Sequence, residues 1–203
     1  MTSPTPHAIV GSGNIGSALA QLFARAGIDV SIANTRGPES IRQLAASLGS
    51  SVHAVPLEEA LDSDVIFMAI PFTAVEQFGK SRPDWTGKTV VDTTNAHFTP
   101  NSTESLQGRL STQYAADQLP GADVVKAFNQ LPANTLAAEL DPGLGRRVIF
   151  IATDSPQAGD RIAALVGDLG LAAVQLGRID EGGRLIQVPN ALVLRNLIER
   201  PLS

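Results

Sequence analysis

The sequence contains no cysteine among its 203 residues. Disulfide bonds, thiolate nucleophiles and cysteine-ligated metals or clusters are therefore excluded. Charged residues are also sparse, at 17% of the chain, whereas hydrophobic residues make up 43%. This balance is typical of a globular protein and not of a disordered one.

Long hydrophobic runs are absent too. The longest, such as Val65–Pro71, have the length of a strand and are far too short to cross a bilayer. The opening residues MTSPTPH lack the basic and apolar segments of a signal peptide. The formal net charge of -5 provides no basic surface for nucleic acid or an anionic membrane. We therefore expect a cytoplasmic protein with neither of these partners.

Short apolar segments alternate with segments of helical length along the chain. The expected strands are His7–Val10, Val30–Ala33, Val65–Ala69, Thr89–Asp92, Val124–Ala127, Val148–Ala152 and Ala172–Gln175. The expected helices are Asn14–Ala26, Glu39–Leu48, Thr73–Phe78, Gly108–Gln118 and Gln157–Leu169. Strands that are apolar almost throughout belong to parallel sheets buried on both faces. The pattern predicts an α/β fold with a doubly wound, mostly parallel sheet.

The chain shows no linker or repeat, so we expect one domain over residues 1–203. Residues 147–203 would form a C-terminal strand-and-helix extension that packs on the same sheet and forms part of the substrate cleft. The last segment, Gly182–Arg200, looks helical, but Pro189 inside it predicts a kink or a break. This segment would pack either on its own sheet or against a second subunit in a homodimer.

A glycine-rich turn follows the first expected strand. It has G-x-G-x-x-G spacing and comprises Gly11, Ser12, Gly13, Asn14, Ile15 and Gly16. The turn opens an amphipathic helix that leads to a second strand, which is the context typical of a dinucleotide site. Gly11 would allow the tight turn, Gly13 the approach of a pyrophosphate, and Gly16 close packing of helix on strand. The free N–H groups of the helix N-terminus would then bind the phosphates.

The end of the second strand indicates which dinucleotide binds. An NAD site usually carries an Asp or Glu there, which binds the ribose 2′-hydroxyl. This chain has Asn34, Thr35 and Arg36 instead, and Asp29 lies at the opposite end of the strand. Asn and Thr can donate to a 2′-phosphate, and an arginine can pair with it and stack on adenine. We therefore predict NADP; the alternative is that Arg36 is a solvated turn residue.

Four segments together resemble the NADPH-dependent oxidoreductases of the coenzyme F420 family (F420 is a deazaflavin cofactor). They are GSGNIG, NTR, AIPF at Ala69–Phe72 and VVKAFNQLPA at Val124–Ala133. The resemblance implies a Rossmann-type fold that binds NADP and reversible hydride transfer between NADPH and F420. It also implies that the AIPF and AFNQLP segments lie beside the nicotinamide. The cofactor contacts expected on this basis are Ala69, Ile70, Pro71, Phe72, Ala127, Phe128, Asn129 and Pro132.

Hydride transfer between two redox cofactors needs positioned rings and excluded water, but no general acid or base. The histidines His7, His53 and His97 are scattered, and no set of proton donors occurs at a recognisable spacing. We therefore expect no catalytic side chain and no metal ligand. Besides NADP, the redox cofactor used as second substrate would be coenzyme F420 or a flavin.

Two asparagines are candidates for orienting the cofactor, Asn95 and Asn129. An amide can both donate to and accept from the ribose or the carboxamide, although each residue could equally stabilise a turn. Two other functions remain open. One is reduction of a small carbonyl or imine, which normally needs a proton donor. The other is a module that binds NADP as a redox sensor without turnover.

Overall fold

A mostly parallel sheet runs through the protein in the computed structural model, which describes residues 6–98, 106, 108–141 and 143–200. Within these residues the strands are β1 His7–Val10, β2 Val30–Ala33, β3 Val52–Ala54, β4 Val65–Met68, β5 Thr89–Asp92, β6 Asp123–Lys126, β7 Arg146–Thr153, β8 Ala172–Gln175 and β9 Ile198–Glu199. Their order is β3-β2-β1-β4-β5-β6-β7-β8, with β9 paired to β7. The six strands from β3 to β6 are parallel, and β7 is antiparallel to β6.

Helices cover the sheet and connect its strands. The described α-helices are α1 Asn14–Ala26, α2 Arg42–Leu48, α3 Leu57–Ala60, α4 Val75–Gly79, α5 Ser111–Asp117, α6 Ala133–Ala137, α7 Pro156–Asp168 and α8 Gly182–Leu185. Short 3-10 turns occupy Pro38–Ile41, Phe72–Ala74 and Ala96–Phe98. Among the residues described, no helix is long and apolar enough to cross a membrane. The α/β fold expected from the sequence is confirmed.

The strand order reverses at β1, which lies between β2 and β4. Val10 at the end of β1 pairs with Ala33 on one side and with Met68 on the other. The chain therefore leaves this point in opposite directions, and a crevice opens at the carboxyl ends of the two neighbouring strands. Ligands of doubly wound sheets bind in such a crevice.

Aromatic rings pack into the core on both faces of the sheet. On one face, Phe67 contacts Phe23 and Phe128 edge to face, with ring centroids 5.6 Å apart in each pair. On the other face, Trp85 is fully buried against Phe78 and donates its indole N–H to a backbone carbonyl. These contacts hold the sheet and its helices in a fixed arrangement, which is what positions the loops at the carboxyl edge.

The C-terminal tail differs from the expectation of a helix over Gly182–Arg200. Only Gly182–Leu185 is helical, and turns then lead to β9, which pairs with Arg146 and Arg147. The apolar residues of the tail cover more than one face, so no single amphipathic stripe stabilises a long helix. Pro189 also lacks the N–H that a continuous helix needs. The expected helix was therefore wrong beyond its first turn, whereas the expected break in helical structure at Pro189 agrees with the turns found there.

The described part of residues 147–203 lies at the far end of the sheet. β7 continues the sheet from β6, and β8 pairs in parallel with β7. Ile186 of the tail packs against both strands in a small cluster with Val148, Phe150, Ala152 and Ala172. The tail therefore packs on its own sheet at this point.

Candidate functional site

In the glycine turn between β1 and α1, Gly11 and Gly16 pack tightly against protein backbone, whereas the space beside Gly13 is open. A Cβ atom placed on Gly11, whose φ is 113°, would lie 2.1 Å from the carbonyl oxygen of Ala69. A Cβ atom on Gly16 would lie 1.9 Å from the carbonyl oxygen of Gly11. At Gly13, in contrast, a Cβ atom would meet nothing within 4 Å. This geometry matches a turn in which two glycines allow close packing of the backbone and the third, Gly13, leaves room for a phosphate.

The N-terminus of α1 faces this open space. Gly13 caps the helix without a side-chain hydrogen bond, and the first turn contains no acidic residue. The carbonyl of Gly13 accepts from Ser17 N, at 2.8 Å, so the N–H groups of the preceding helical residues point out of the helix. Their partial positive charge favours an anion, and Asn14, Ile15 and Gly16 are placed to bind one through their backbones.

Asn34, at the end of β2, connects two loops. Its Nδ2 donates to Ser12 Oγ at 2.8 Å and to Ser40 Oγ at 3.0 Å. Its Oδ1 accepts from the backbone N–H of Arg36 at 2.9 Å. Because both hydrogens of the amide already have partners, Asn34 fixes the shape of the β2 turn against the glycine turn. A direct contact of its side chain with NADP stays a prediction.

Thr35 and Arg36 follow Asn34 and are both exposed. Among the residues described, no ion pair engages Arg36; its neighbour Glu39 pairs with Arg42 instead. Asp29, the acid nearest to the start of β2, contacts His53 at 3.3 Å. The guanidinium of Arg36 is therefore available at the edge of the crevice where an adenine ribose would lie.

The turn after β4 closes the crevice on its other side. The backbone N–H of Ala69 donates to Val10 O at 2.9 Å, and its carbonyl packs against Gly11. Ile70 and Pro71 continue along this edge. The ring of Phe72, however, is buried and packs against Tyr114 with centroids 5.5 Å apart. Phe72 therefore contributes its backbone to the edge and its side chain to the core.

The loops after β5 and β6 are joined by a pair of amides. Asn95 Nδ2 donates to the carbonyl of Asn129 at 2.9 Å, and Asn129 Nδ2 donates to Asn95 Oδ1 at 3.0 Å. Asn129 Nδ2 also lies 2.6 Å from Ile186 O, while its Oδ1 is buried and has no partner within the described structure. A buried acceptor without a donor is unusual and calls for a partner.

The residues around Asn129 divide between core and surface. Ala127 and Phe128 are buried, and Phe128 adopts a left-handed backbone with φ 59°. Pro132 is exposed and lines a groove of about 680 Å³ between α1 and α6, together with Asn14. The structure therefore brings two predicted contact residues, Asn14 and Pro132, to the same groove.

Known proteins resemble this chain in sequence and in fold. Residues 7–96 match the family described as NADP oxidoreductase, coenzyme F420-dependent. The crystal structure of the hypothetical protein SMa0349 from Sinorhizobium meliloti is 43% identical, has a TM-score of 0.91, and the match covers 97% of this chain and 96% of that one. The chain belongs to this family of NADP oxidoreductases. It is accordingly an NADP-dependent oxidoreductase.

More distant structures share the fold. A protein assigned as an F420-dependent NADP reductase from Arthrobacter sp. FB24 is 21% identical with a TM-score of 0.65, over 87% of this chain and 86% of that one. The imine reductase from Pseudomonas sp. is 20% identical with a TM-score of 0.59, over 87% of this chain but only 56% of its own. No curated protein matches the sequence.

A buried ionic cluster beneath the β5 and β6 loops was missed by the sequence analysis. Lys126 Nζ lies 3.1 Å from Asp92 Oδ2, and it also donates to the carbonyl of Thr94. The hydroxyls of Thr94 and Thr112 donate to the two oxygens of Asp92, each at 2.7 Å. Both charged residues are almost completely inaccessible.

This cluster supports the oxidoreductase's loops without reaching solvent. Burial lowers the pKa of Lys126 below its ordinary value, and the charge of Asp92 opposes that shift. Because Lys126 bonds the carbonyl of Thr94, it fixes the chain next to Asn95. The sequence shows a charged residue at the end of each of two strands, Asp92 in β5 and Lys126 in β6. That these two residues face each other follows only once the strands are placed in register.

Proposed function

We propose that the protein transfers hydride between NADPH and an acceptor of the deazaflavin or flavin type, such as coenzyme F420. The hydride, with its two electrons, would leave C4 of the nicotinamide and bond to the acceptor ring, which takes one proton from solvent. NADPH becomes NADP⁺ and the acceptor becomes its dihydro form. Membership of the F420-dependent family supports this acceptor class.

The observation that carries the proposal is the amide pair Asn95–Asn129 at the carboxyl ends of β5 and β6. Asn129 Oδ1 is itself buried, so the half-buried Asn95 is the member of the pair that a nicotinamide carboxamide would meet. The charged residues beside this pair, Asp92 and Lys126, are buried and bonded to each other. The site thus supplies orientation, which is what a reaction between two redox rings requires.

A second candidate is the reduction of a small carbonyl or imine. His97 favours it, because this exposed and ionisable residue lies two positions after Asn95 in the same turn. The imine reductase from Pseudomonas sp. shares the fold, but this chain spans only about half of its length. A small substrate would therefore have to bind without the remaining part of that protein.

The acceptor class can be tested by a parallel spectral assay. Purified protein with NADPH should oxidise it when coenzyme F420, FMN or FAD is present, and should leave it unchanged without an acceptor. Steady oxidation with a cyclic imine or small ketone alone would establish the second candidate instead. Tight NADPH binding with no oxidation in any mixture would identify a binding module.

The preference for NADPH can be tested at Arg36. We expect Arg36→Glu to weaken NADPH binding by roughly 10- to 100-fold, because it removes a charge-assisted contact with the 2′-phosphate and adds repulsion. NADH, which lacks that phosphate, should bind within about threefold of its original affinity. Titration of both dinucleotides measures the difference. Arg42→Glu is the matched control, since Arg42 is also exposed but lies at the start of α2 and pairs with Glu39. Equal losses for both dinucleotides would contradict the assignment.

A further inference from the structure

Leu194 combines two unfavourable features. Its side chain is 66% exposed, which is the largest exposure among the large hydrophobic residues of the described structure. Its backbone is also left-handed, with φ 60°, a property shared among described non-glycine residues only by Phe128. Glycine would adopt this conformation without steric cost, whereas a leucine does so under strain. Such strain persists where surrounding contacts impose it and is concentrated at functional sites.

Hydrogen bonds from the tail impose this conformation. The backbone N–H of Leu194 donates to the carbonyl of Gln130 at 2.7 Å. Gln187 Oε1 accepts from the backbone N–H of Ser111, at the start of α5, at 2.8 Å. Ile186 O accepts from Asn129. The tail between Ile186 and Leu194 is thereby fixed against the loop that follows β6 and against the start of α5.

Leu194 therefore lies next to the end of the site where the nicotinamide is expected. Its hydrogen-bond partner Gln130 directly follows Asn129, whose amide is paired with Asn95. The other left-handed residue, Phe128, directly precedes Asn129. Two strained residues thus flank Asn129, the partner of the amide that we assign to the carboxamide, one in sequence and one through the tail.

We propose that the Leu194 side chain packs against the ring of the hydride acceptor and determines which acceptors bind. This inference rests on the proposed function. An apolar side chain facing the open side of the nicotinamide would cover a flat, largely apolar deazaflavin or flavin ring. It would thereby exclude water from the space between the two rings.

A protein partner fits this surface less well than a small molecule. A stable protein interface buries about 800 Å² on each partner. Leu194 is followed by two exposed polar residues, Arg195 and Asn196, which interrupt the apolar surface between it and the exposed Leu197. A ligand ring needs no more than such a local contact.

The experiment separates conformation from contact by using Leu194→Gly and Leu194→Asn. Both residues accept the left-handed backbone, so the melting temperature should stay within about 2 °C of the original value or rise. Both remove the apolar surface, so the Kd of coenzyme F420 and FMN for the NADP⁺-saturated protein should rise about tenfold. The Kd of NADPH should change less than twofold. Leu197→Ala is the matched control, because Leu197 is 45% exposed in the same tail but lies beside β9.

Three results would overturn the inference. An unchanged acceptor Kd in both variants, with the original protein binding acceptor, shows that Leu194 does not contact the ring. A change in sedimentation behaviour from dimer to monomer shows that Leu194 belongs to a subunit interface. If the original protein binds NADPH but neither F420 nor FMN, the proposed function itself fails, and the role of Leu194 fails with it.

Discussion

Replacement of Gly16 by alanine should lower the free energy of unfolding by about 2–4 kcal/mol and abolish measurable NADPH binding. The added Cβ would lie 1.9 Å from the carbonyl oxygen of Gly11 and 2.9 Å from its carbonyl carbon. Both atoms are backbone, so the clash cannot be relieved by turning a side chain. The glycine turn and the start of α1 would have to separate. Urea unfolding and an NADPH titration measure the two effects.

Gly13→Ala is the matched control and should weaken NADPH binding without lowering the stability of the fold. No atom lies within 4 Å of the added Cβ, and the φ of Gly13 is -77°, which alanine adopts readily. The free energy of unfolding should therefore change by less than about 0.5 kcal/mol. NADPH binding should nevertheless weaken by roughly tenfold or more, because the methyl group would occupy the space where the pyrophosphate approaches. Normal binding by this variant would place the phosphates elsewhere.

Lys126→Met should be the second severe substitution, with a loss of about 3–5 kcal/mol in the free energy of unfolding. The methionine fills a similar volume but leaves Asp92 as an unpaired charge in a site from which water is excluded. The carbonyl of Thr94 also loses its donor, so the turn that carries Asn95 should loosen. Chemical denaturation gives the stability, and the rate of acceptor reduction reports the turn.

The double variant Asp92→Asn with Lys126→Met distinguishes a buried charge from a lost contact. Removing both charges should restore most of the stability lost in Lys126→Met, because no unpaired ion remains. One threonine hydroxyl, of Thr94 or of Thr112, can still donate to the asparagine oxygen, and the other can turn to accept from its Nδ2. If the double variant is as unstable as the sum of the two single variants, the pairing of Asp92 with Lys126 is not what stabilises this part of the fold.

Elements with a strong local pattern could be predicted from the sequence. The strands His7–Val10 and Thr89–Asp92 and the helix Asn14–Ala26 were predicted with the bounds that the structure shows. The strand Val52–Ala54 was not predicted, because three residues at the sheet edge carry too short a pattern. The tail was predicted as a helix with a kink or a break at Pro189, yet most of it is not helical and its backbone bonds to residues 130 and 148.

In the candidate site, too, the features with a local sequence pattern could be predicted and those that depend on tertiary contacts could not. The glycine turn is local, so its spacing and its place after a strand are readable directly. Asp92 and Lys126 are 34 positions apart in sequence and meet only because their strands are neighbours in register. Asn34 was predicted to face the cofactor, but the sequence could not show that Ser12 and Ser40 would take its amide hydrogens. Such pairings depend on tertiary structure alone.

The two ends of the crevice are held by contacts from different parts of the chain. The phosphate end is complete once residues up to Ala69 have folded, because Gly11 packs on Ala69 and Asn34 bonds Ser12. The other end needs Ile186 and Leu194 to bond Asn129 and Gln130. Since a chain emerges from the ribosome N-terminus first, the binding site for the phosphates forms early during synthesis. The end that we propose to orient the nicotinamide can form only later, once Leu194 has been made.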